Sequence, residues 1–278
     1  MKTKLIAVAA SATLLLSGCG LVGGGTDSVG EQDGDITKLN VGVSPVPHGD
    51  ILKFVDDNLA EKAGLDLEIT EYTDYTLPNK ALTDGDIDAN YFQHKPYLDS
   101  EIEGQGYDIT GFEPVHLEPF ALFSNTVDEV EDIPKNAKIG INNDPANQGR
   151  ALKMLEDAEL ITLNDGVDEV SAKLSDVKDN PKNVEFVEAD AAQLARTLDD
   201  VDASVINGNN ALEAGLNPAK DGILLESAED NPYGNFLAVR TENKDDENIK
   251  KLDELLHSPE VKEFIEDEWA DGSVLPSF

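Results

Sequence analysis

The sequence predicts an α/β fold built as two lobes, on three observations. Residues 39–72 read as strand, helix, strand. Short apolar strands then alternate with helical segments throughout residues 37–278. The chain also changes character twice, near residues 123–134 and again near 226–233. A strand–helix–strand unit favours layered α/β architecture, and a stretch of this length builds one large or two moderate domains.

In order along the chain, "LNVGV" (39–43) is a first strand. "HGDILKFVDDNLAEKAG" (48–64) sets Ile51, Phe54, Val55 and Leu59 on a helical period, and Gly64 suits its C-terminal end. "LDLEITEY" (65–72) alternates as a second strand. "TLPNKALTDGDIDANYF" (76–92) reads as a short helix, a turn and a strand. "HKPYLDSEIEGQGY" (94–107) is helical from Pro96, since proline is tolerated in a first turn. "AKIGI" (137–141) is a strand, and "NNDPANQGRALKMLEDAEL" (142–160) a loop entering a helix. "VEFVEA" (184–189) is a strand, and the following helix opens with Asp190 and Gln193 at capping-box spacing. "DASVI" (202–206), "GILLE" (222–226) and "FLAVR" (236–240) are short apolar segments. Two helical stretches close the chain, the second capped by Ser258 with Pro259 in its first turn. The expected organisation is a signal at 1–18, a flexible tether at 19–36, one lobe from 37–123 and 231–278, and the other from 124–230.

The N-terminus has Lys2 and Lys4, an apolar run to Leu16, and Ser17-Gly18-Cys19. This is the form of a secretory signal, and the run is short of the roughly 20 residues that span a bilayer. The end "LSGC" resembles a lipobox, in which the cysteine is acylated and becomes the first residue after cleavage. Cys19 is the only cysteine, so an internal disulfide is excluded. A secretory signal with an incidental thiol is the rival reading. Residues 20–36 have few apolar side chains to bury, which suits a tether.

The net charge is −36, and loss of residues 1–18 with their two lysines takes it to −38. No basic footprint exists for nucleic acid. Anionic lipid would repel this surface, so attachment to a membrane would be covalent. Such an acidic folded chain suggests a salt-adapted, halophilic setting, where charge repulsion is screened.

No GxSxG, HExxH, Walker A or GxGxxG stretch occurs, and His48, His94, His116 and His257 lack metal-ligand spacing. No enzyme activity, metal or cofactor is expected. "NYFQHKPYLD" (90–99) gathers Tyr91, Phe92, His94 and Tyr97 in a chain that is only 6% aromatic. Such rings form a slot for an apolar or thioether side chain, or equally pack a core beside a helix start. Arg150, one of three arginines, stands near the start of a helix after a polar loop. It suits a bidentate clamp on a ligand carboxylate, or a surface ion pair. Asn207 ends a strand in "VINGNN", placed for a zwitterion or for a helix cap. A buried arginine needs a partner, and a ligand carboxylate would supply one.

These stretches, with "VGVSPVPHGDIL" (41–52), "YTDYTLPNKAL" (72–82), "INNDPANQGRAL" (141–152), "NPKNVEFVEADAAQLARTLDD" (180–200), "VINGNNALEAGLNPAKDGI" (205–223) and "NPYGNFLAVR" (231–240), resemble the NlpA, or methionine-binding, lipoproteins. The resemblance covers about residues 38–278. It implies a type II periplasmic binding protein-like α/β fold with a ligand cleft between two lobes. It implies a lipid-anchored extracytoplasmic monomer that passes L- or D-methionine to an ABC permease with a cytoplasmic ATPase. It places Tyr75, Phe92 and Tyr97 around the thioether and Arg150 on the α-carboxylate. His94, Asn147, Asn207 and Asn235 follow as polar contacts, and His48 lies near the cleft without direct contact. Gly208-Asn209 departs from the Thr or Tyr common after this asparagine, which leaves another amino acid or a short methionine-containing peptide open as ligand. An enzyme or a structural surface lipoprotein on this scaffold is the reading from a different class.

Overall fold

The computed structural model describes residues 28–168 and 170–278. The signal, Cys19 and the start of the tether lie outside the described residues. Among the described residues, no helix is long and apolar enough to cross a membrane.

Strand β1 (Glu31–Asp33) turns through Gly34 and pairs antiparallel with β2 (Ile36–Val43). The hairpin falls inside the stretch expected as tether, and Val29 is already buried. Folded structure therefore starts before residue 37. β1 is wholly exposed, so apolar content carried no signal of it. In β2, Leu39, Val41 and Val43 alternate into the core, as a half-buried strand requires. They meet Ile51, Leu52 and Val55 of α1 (Asp50–Val55). Helical turns continue to Ala63, and Gly64 ends them in the left-handed conformation at φ 77. Next come β3 (Leu65–Glu71), α2 (Leu77–Asp84), β4 (Ala89–His94), α3 (Lys95–Gln105) and β5 (Ile109–Leu117).

The chain then enters a second sheet with β6 (Ala121–Phe123), a little earlier than the expected crossing after residue 123. The second lobe continues with β7 (Lys138–Asn142), α4 (Pro145–Asp157), β8 (Thr162–Leu163), β9 (Val177–Asp179), β10 (Glu185–Ala189) and α5 (Ala191–Thr197). It ends with β11 (Ala203–Ile206), α6 (Gly208–Glu213), α7 (Pro218–Asp221) and β12 (Leu224–Leu225). The return path delivers β13 (Asn235–Arg240), α8 (Glu247–Leu256), α9 (Pro259–Glu268) and β14 (Leu275–Pro276) to the first lobe.

The first sheet runs β1-β2-β4-β13-β5-β14 with β3 also paired to β2 off that path, and the second sheet runs β10-β7-β11-β6-β12, so that β3-β2-β4-β13-β5 in one lobe answers to β10-β7-β11-β6-β12 in the other. β3, β2 and β4 are parallel, as are β10, β7 and β11. In each sheet the next strand is antiparallel and comes from beyond a crossing: β13 beside β4, β6 beside β11. The lobes thus share one strand order. Each has its own apolar core, around Leu39, Leu237 and Leu252 in one and around Ile139, Leu152 and Val205 in the other. The expected capping box at Asp190 does not form. Its carboxylate instead accepts a hydrogen bond from the Asn143 side chain at 2.5 Å.

Candidate functional site

Open α/β sheets place ligands at the carboxyl ends of their parallel strands, and this chain concentrates its buried polar groups there. β4 ends in Phe92, Gln93 and His94, and β11 runs into Asn207. β7 ends at Asn142, after which α4 starts with Asp144 as cap, its carboxylate accepting from the backbone N–H of Asn147 at 2.9 Å. β5 leads into Glu118, and the antiparallel β13 starts at Asn235 on the same edge. A narrow cleft lies between the lobes at this edge. All eight residues singled out from the sequence line it: Tyr75, Phe92, His94, Tyr97, Asn147, Arg150, Asn207 and Asn235.

One end of the cleft is aromatic. The ring centroids of Tyr75, Phe92 and Tyr97 stand 5.8–6.0 Å apart as a nearly equilateral triangle, with Ala146 of the other lobe packed against them. Tyr97 Oη donates to the carbonyl of Tyr75 at 3.0 Å. Tyr75 Oη donates to Asn209 Oδ1 at 2.6 Å and accepts from Asn210 Nδ2 at 2.8 Å. These last two bonds join the lobes.

The other end is polar. Arg150 is buried, its guanidinium held between the rings of Phe120 and Tyr233 at 3.8 and 4.2 Å. Its Nε donates to Glu226 Oε1 at 2.8 Å, and its Nη2 donates to Glu226 Oε2 and, at 2.9 Å, to the carbonyl of Glu118. Arg150 therefore has a protein counter-ion in Glu226, so its burial does not depend on a ligand carboxylate alone. Burial pushes the Glu226 carboxyl up, and the guanidinium outweighs this and holds it below its ordinary value.

Amides fill the floor. Asn142 Nδ2 donates to Asn207 Oδ1 at 2.8 Å, and Asn207 Nδ2 donates to Asn147 Oδ1 at 3.2 Å. His94 Nδ1 accepts from the Tyr97 backbone N–H, so its Nε2 carries the proton toward Asn147 Oδ1 at 3.1 Å. Burial, and then the charge of Arg150, lower the His94 pKa to about 3.

Sequence reasoning missed Glu118, which lines the cleft and is almost wholly buried. Its Oε1 lies 2.7 Å from His116 Nε2 and 3.3 Å from His48 Nε2, and its Oε2 accepts from the Asn209 backbone N–H at 2.6 Å. Tyr91 Oη bonds His116 Nδ1, and His48 Nε2 also faces Asn235 Oδ1 at 3.2 Å. Both imidazoles therefore point Nε2–H groups at Glu118. Burial pushes Glu118 up, opposed by His48, by the Asn209 N–H and by Arg150. Burial also lowers His48 to about 4, against the pull of Glu118, and His116 to about 3. The ligand atoms of His48, His116 and Glu118 come within 4.8 Å of one another, but each imidazole Nε2 is already turned to the same carboxylate oxygen. In a chain with 57 acidic residues no composition signal sets one glutamate apart.

Two α/β lobes of the same strand order, crossed twice by the chain and closing on a ring-lined, guanidinium-bearing cleft, define a type II periplasmic-type binding protein. Comparison with known proteins narrows the class. The NlpA lipoprotein family matches residues 39–278, and the chain belongs to that family. It is 43% identical over 266 residues to the methionine-binding lipoprotein MetQ of Bacillus subtilis, covering 95% of this chain and 96% of that one. It is 39% identical over 247 residues to the D-methionine-binding lipoprotein MetQ of Escherichia coli K12, covering 88% and 90%. Among solved structures, a nutrient binding protein from Burkholderia cenocepacia bound to methionine aligns with a TM-score of 0.83 and 42% identity, over 86% of this chain and 100% of that one.

Proposed function

We propose that the protein captures methionine outside the cytoplasm, held to the membrane by lipid on Cys19, and delivers it to an ABC permease driven by a cytoplasmic ATPase. It is a carrier and turns nothing over. The observation that carries this reading is the triangle of Tyr75, Phe92 and Tyr97 facing Arg150 across one cleft. Sulfur against ring edges gains roughly 0.3–1.5 kcal/mol per contact, so a thioether suits the apolar end. The hydrogen bonds of Arg150 use Nε and Nη2, and Nη1 is the donor offered to a ligand carboxylate. His94, Asn147, Asn207 and Asn235 surround the polar end of the ligand.

The test is titration calorimetry on a chain starting at Gly20, which keeps every described residue. The chain is unfolded and refolded in molar salt to strip bound ligand. Saturable heat with L- or D-methionine is expected. Absence of heat with both, from protein shown to be folded, would overturn the reading.

A further inference from the structure

We infer that Glu118 is the acceptor for the ligand's α-ammonium group and makes the cleft selective for a free amine, an inference that rests on the amino-acid reading above. The charges in the cleft do not balance without a ligand. Arg150 is the one cation among the described residues lining the cleft, and Glu226 neutralises it through two hydrogen bonds. The amides are neutral, and the imidazoles each have one nitrogen donating and the other accepting or bare. What remains is the carboxylate of Glu118. Three N–H groups stabilise it, yet none carries a full charge. A buried charge without a counter-ion is costly, and a bound ammonium supplies the counter-ion.

Geometry favours an α-amino acid over other cations. Arg150 Nη2 donates to the main-chain carbonyl of Glu118 itself, at 2.9 Å. The group for a carboxylate and the group for an ammonium therefore sit side by side, as an α-amino acid carries them on one carbon. The ring triangle takes what remains of the ligand. The surroundings of Glu118 are built around it. Gly208 has no side chain, and a Cβ there would stand 2.7 Å from Glu118 Cβ, so only glycine lets the Asn209 N–H reach Oε2. His48 is buried with Nδ1 unpartnered, while its Nε2 faces Glu118 and Asn235. Its orientation serves that contact at the expense of its own second nitrogen. His48, His116 and Gly208 are positioning residues, and Glu118 is the group that meets the ligand.

The experiment measures affinity of the refolded chain for L-methionine, for its deamino analogue 4-(methylthio)butanoate and for N-acetylmethionine, in wild type and in Glu118→Gln. Wild type should prefer methionine over both analogues by on the order of 100-fold, the scale of leaving one buried charge unpaired. Glu118→Gln should shrink that preference below about tenfold by weakening methionine and sparing 4-(methylthio)butanoate. The spared analogue doubles as proof that the variant is folded. A wild type that binds the deamino analogue as tightly as methionine overturns the inference, as does a Glu118→Gln protein that keeps the full preference. If that variant does not refold, the wild-type ratio decides alone. A wild type that binds none of the three compounds fails the methionine reading instead.

Discussion

Arg150 is fixed from every side: two rings stack on its faces, Glu226 takes its Nε–Nη2 edge, and a main-chain carbonyl takes one further proton. Removing one member of a buried ion pair strands the other, at about 3–5 kcal/mol. Arg150→Ala should therefore abolish methionine binding and also lower stability by that order. Adding Glu226→Gln to it should restore part of the stability and none of the binding, as read by urea unfolding and calorimetry. Arg150→Lys keeps the charge but cannot reproduce the planar fork between two rings, and should weaken binding by at least about tenfold. At this scale the aromatic run and Arg150 could be read directly, because they are rare types in this composition, whereas Asn207 stood out only by its place at the end of an apolar strand. Their cleft partners Glu118 and Glu226 could not, since nothing local separates a buried carboxylate from dozens of solvated ones. Only the meeting of the end of β5 with the first turn of α6 marks Glu118 out.

At the scale of elements, the cleft is where strand ends meet helix starts, and the lobes touch there through side chains. The Tyr75 hydroxyl is one such contact, bonded to Asn209 and Asn210 on α6. A hydrogen bond of this kind is worth about 0.5–1.5 kcal/mol net. Tyr75→Phe keeps the ring triangle and should speed methionine release by roughly 2–10-fold per lost bond, with little change in melting temperature, as stopped-flow dissociation would record. Alternation of apolar residues made β2 and β3 readable, and Ser258 and Pro259 marked the start of α9. β5 escaped for a physical reason. It lies between β13 and β14, contains Pro114, and its pairing with β13 shifts register, so its burial does not alternate cleanly. β12 is only two residues long, and its pairing with β6 is a tertiary fact with no local signature.

For the whole molecule, charge sets the conditions. A net charge of −36 opposes compaction, and molar salt shortens the Debye length to about 3 Å. The melting temperature should rise from dilute buffer to molar sodium chloride, and a flat or falling profile would count against salt adaptation. The buried imidazoles add a pH dependence of known sign. His48, His94 and His116 are lowered to about 4, about 3 and about 3, whereas in the unfolded chain they titrate near 6.5. Between these values the unfolded chain binds more protons, so their contribution to stability falls as pH falls. Glu118 and Asp144, raised by burial, act in the opposite direction. His116→Gln keeps a donor toward Glu118, and melts in molar salt between pH 7 and 5 should show a smaller loss of stability in that variant than in wild type.

The strand order also bears on the time at which each lobe can be finished. The second sheet uses only residues 121–225, whereas the middle of the first sheet is β13, seated between β4 and β5 and drawn from residues 235–240. A chain emerging N-terminus first can complete the inserted lobe while the earlier one still waits, with β4 and β5 exposing unpaired edges. For a polypeptide that crosses a membrane before folding, the lobe begun first is completed last, and its sheet closes only after the final quarter of the chain has arrived.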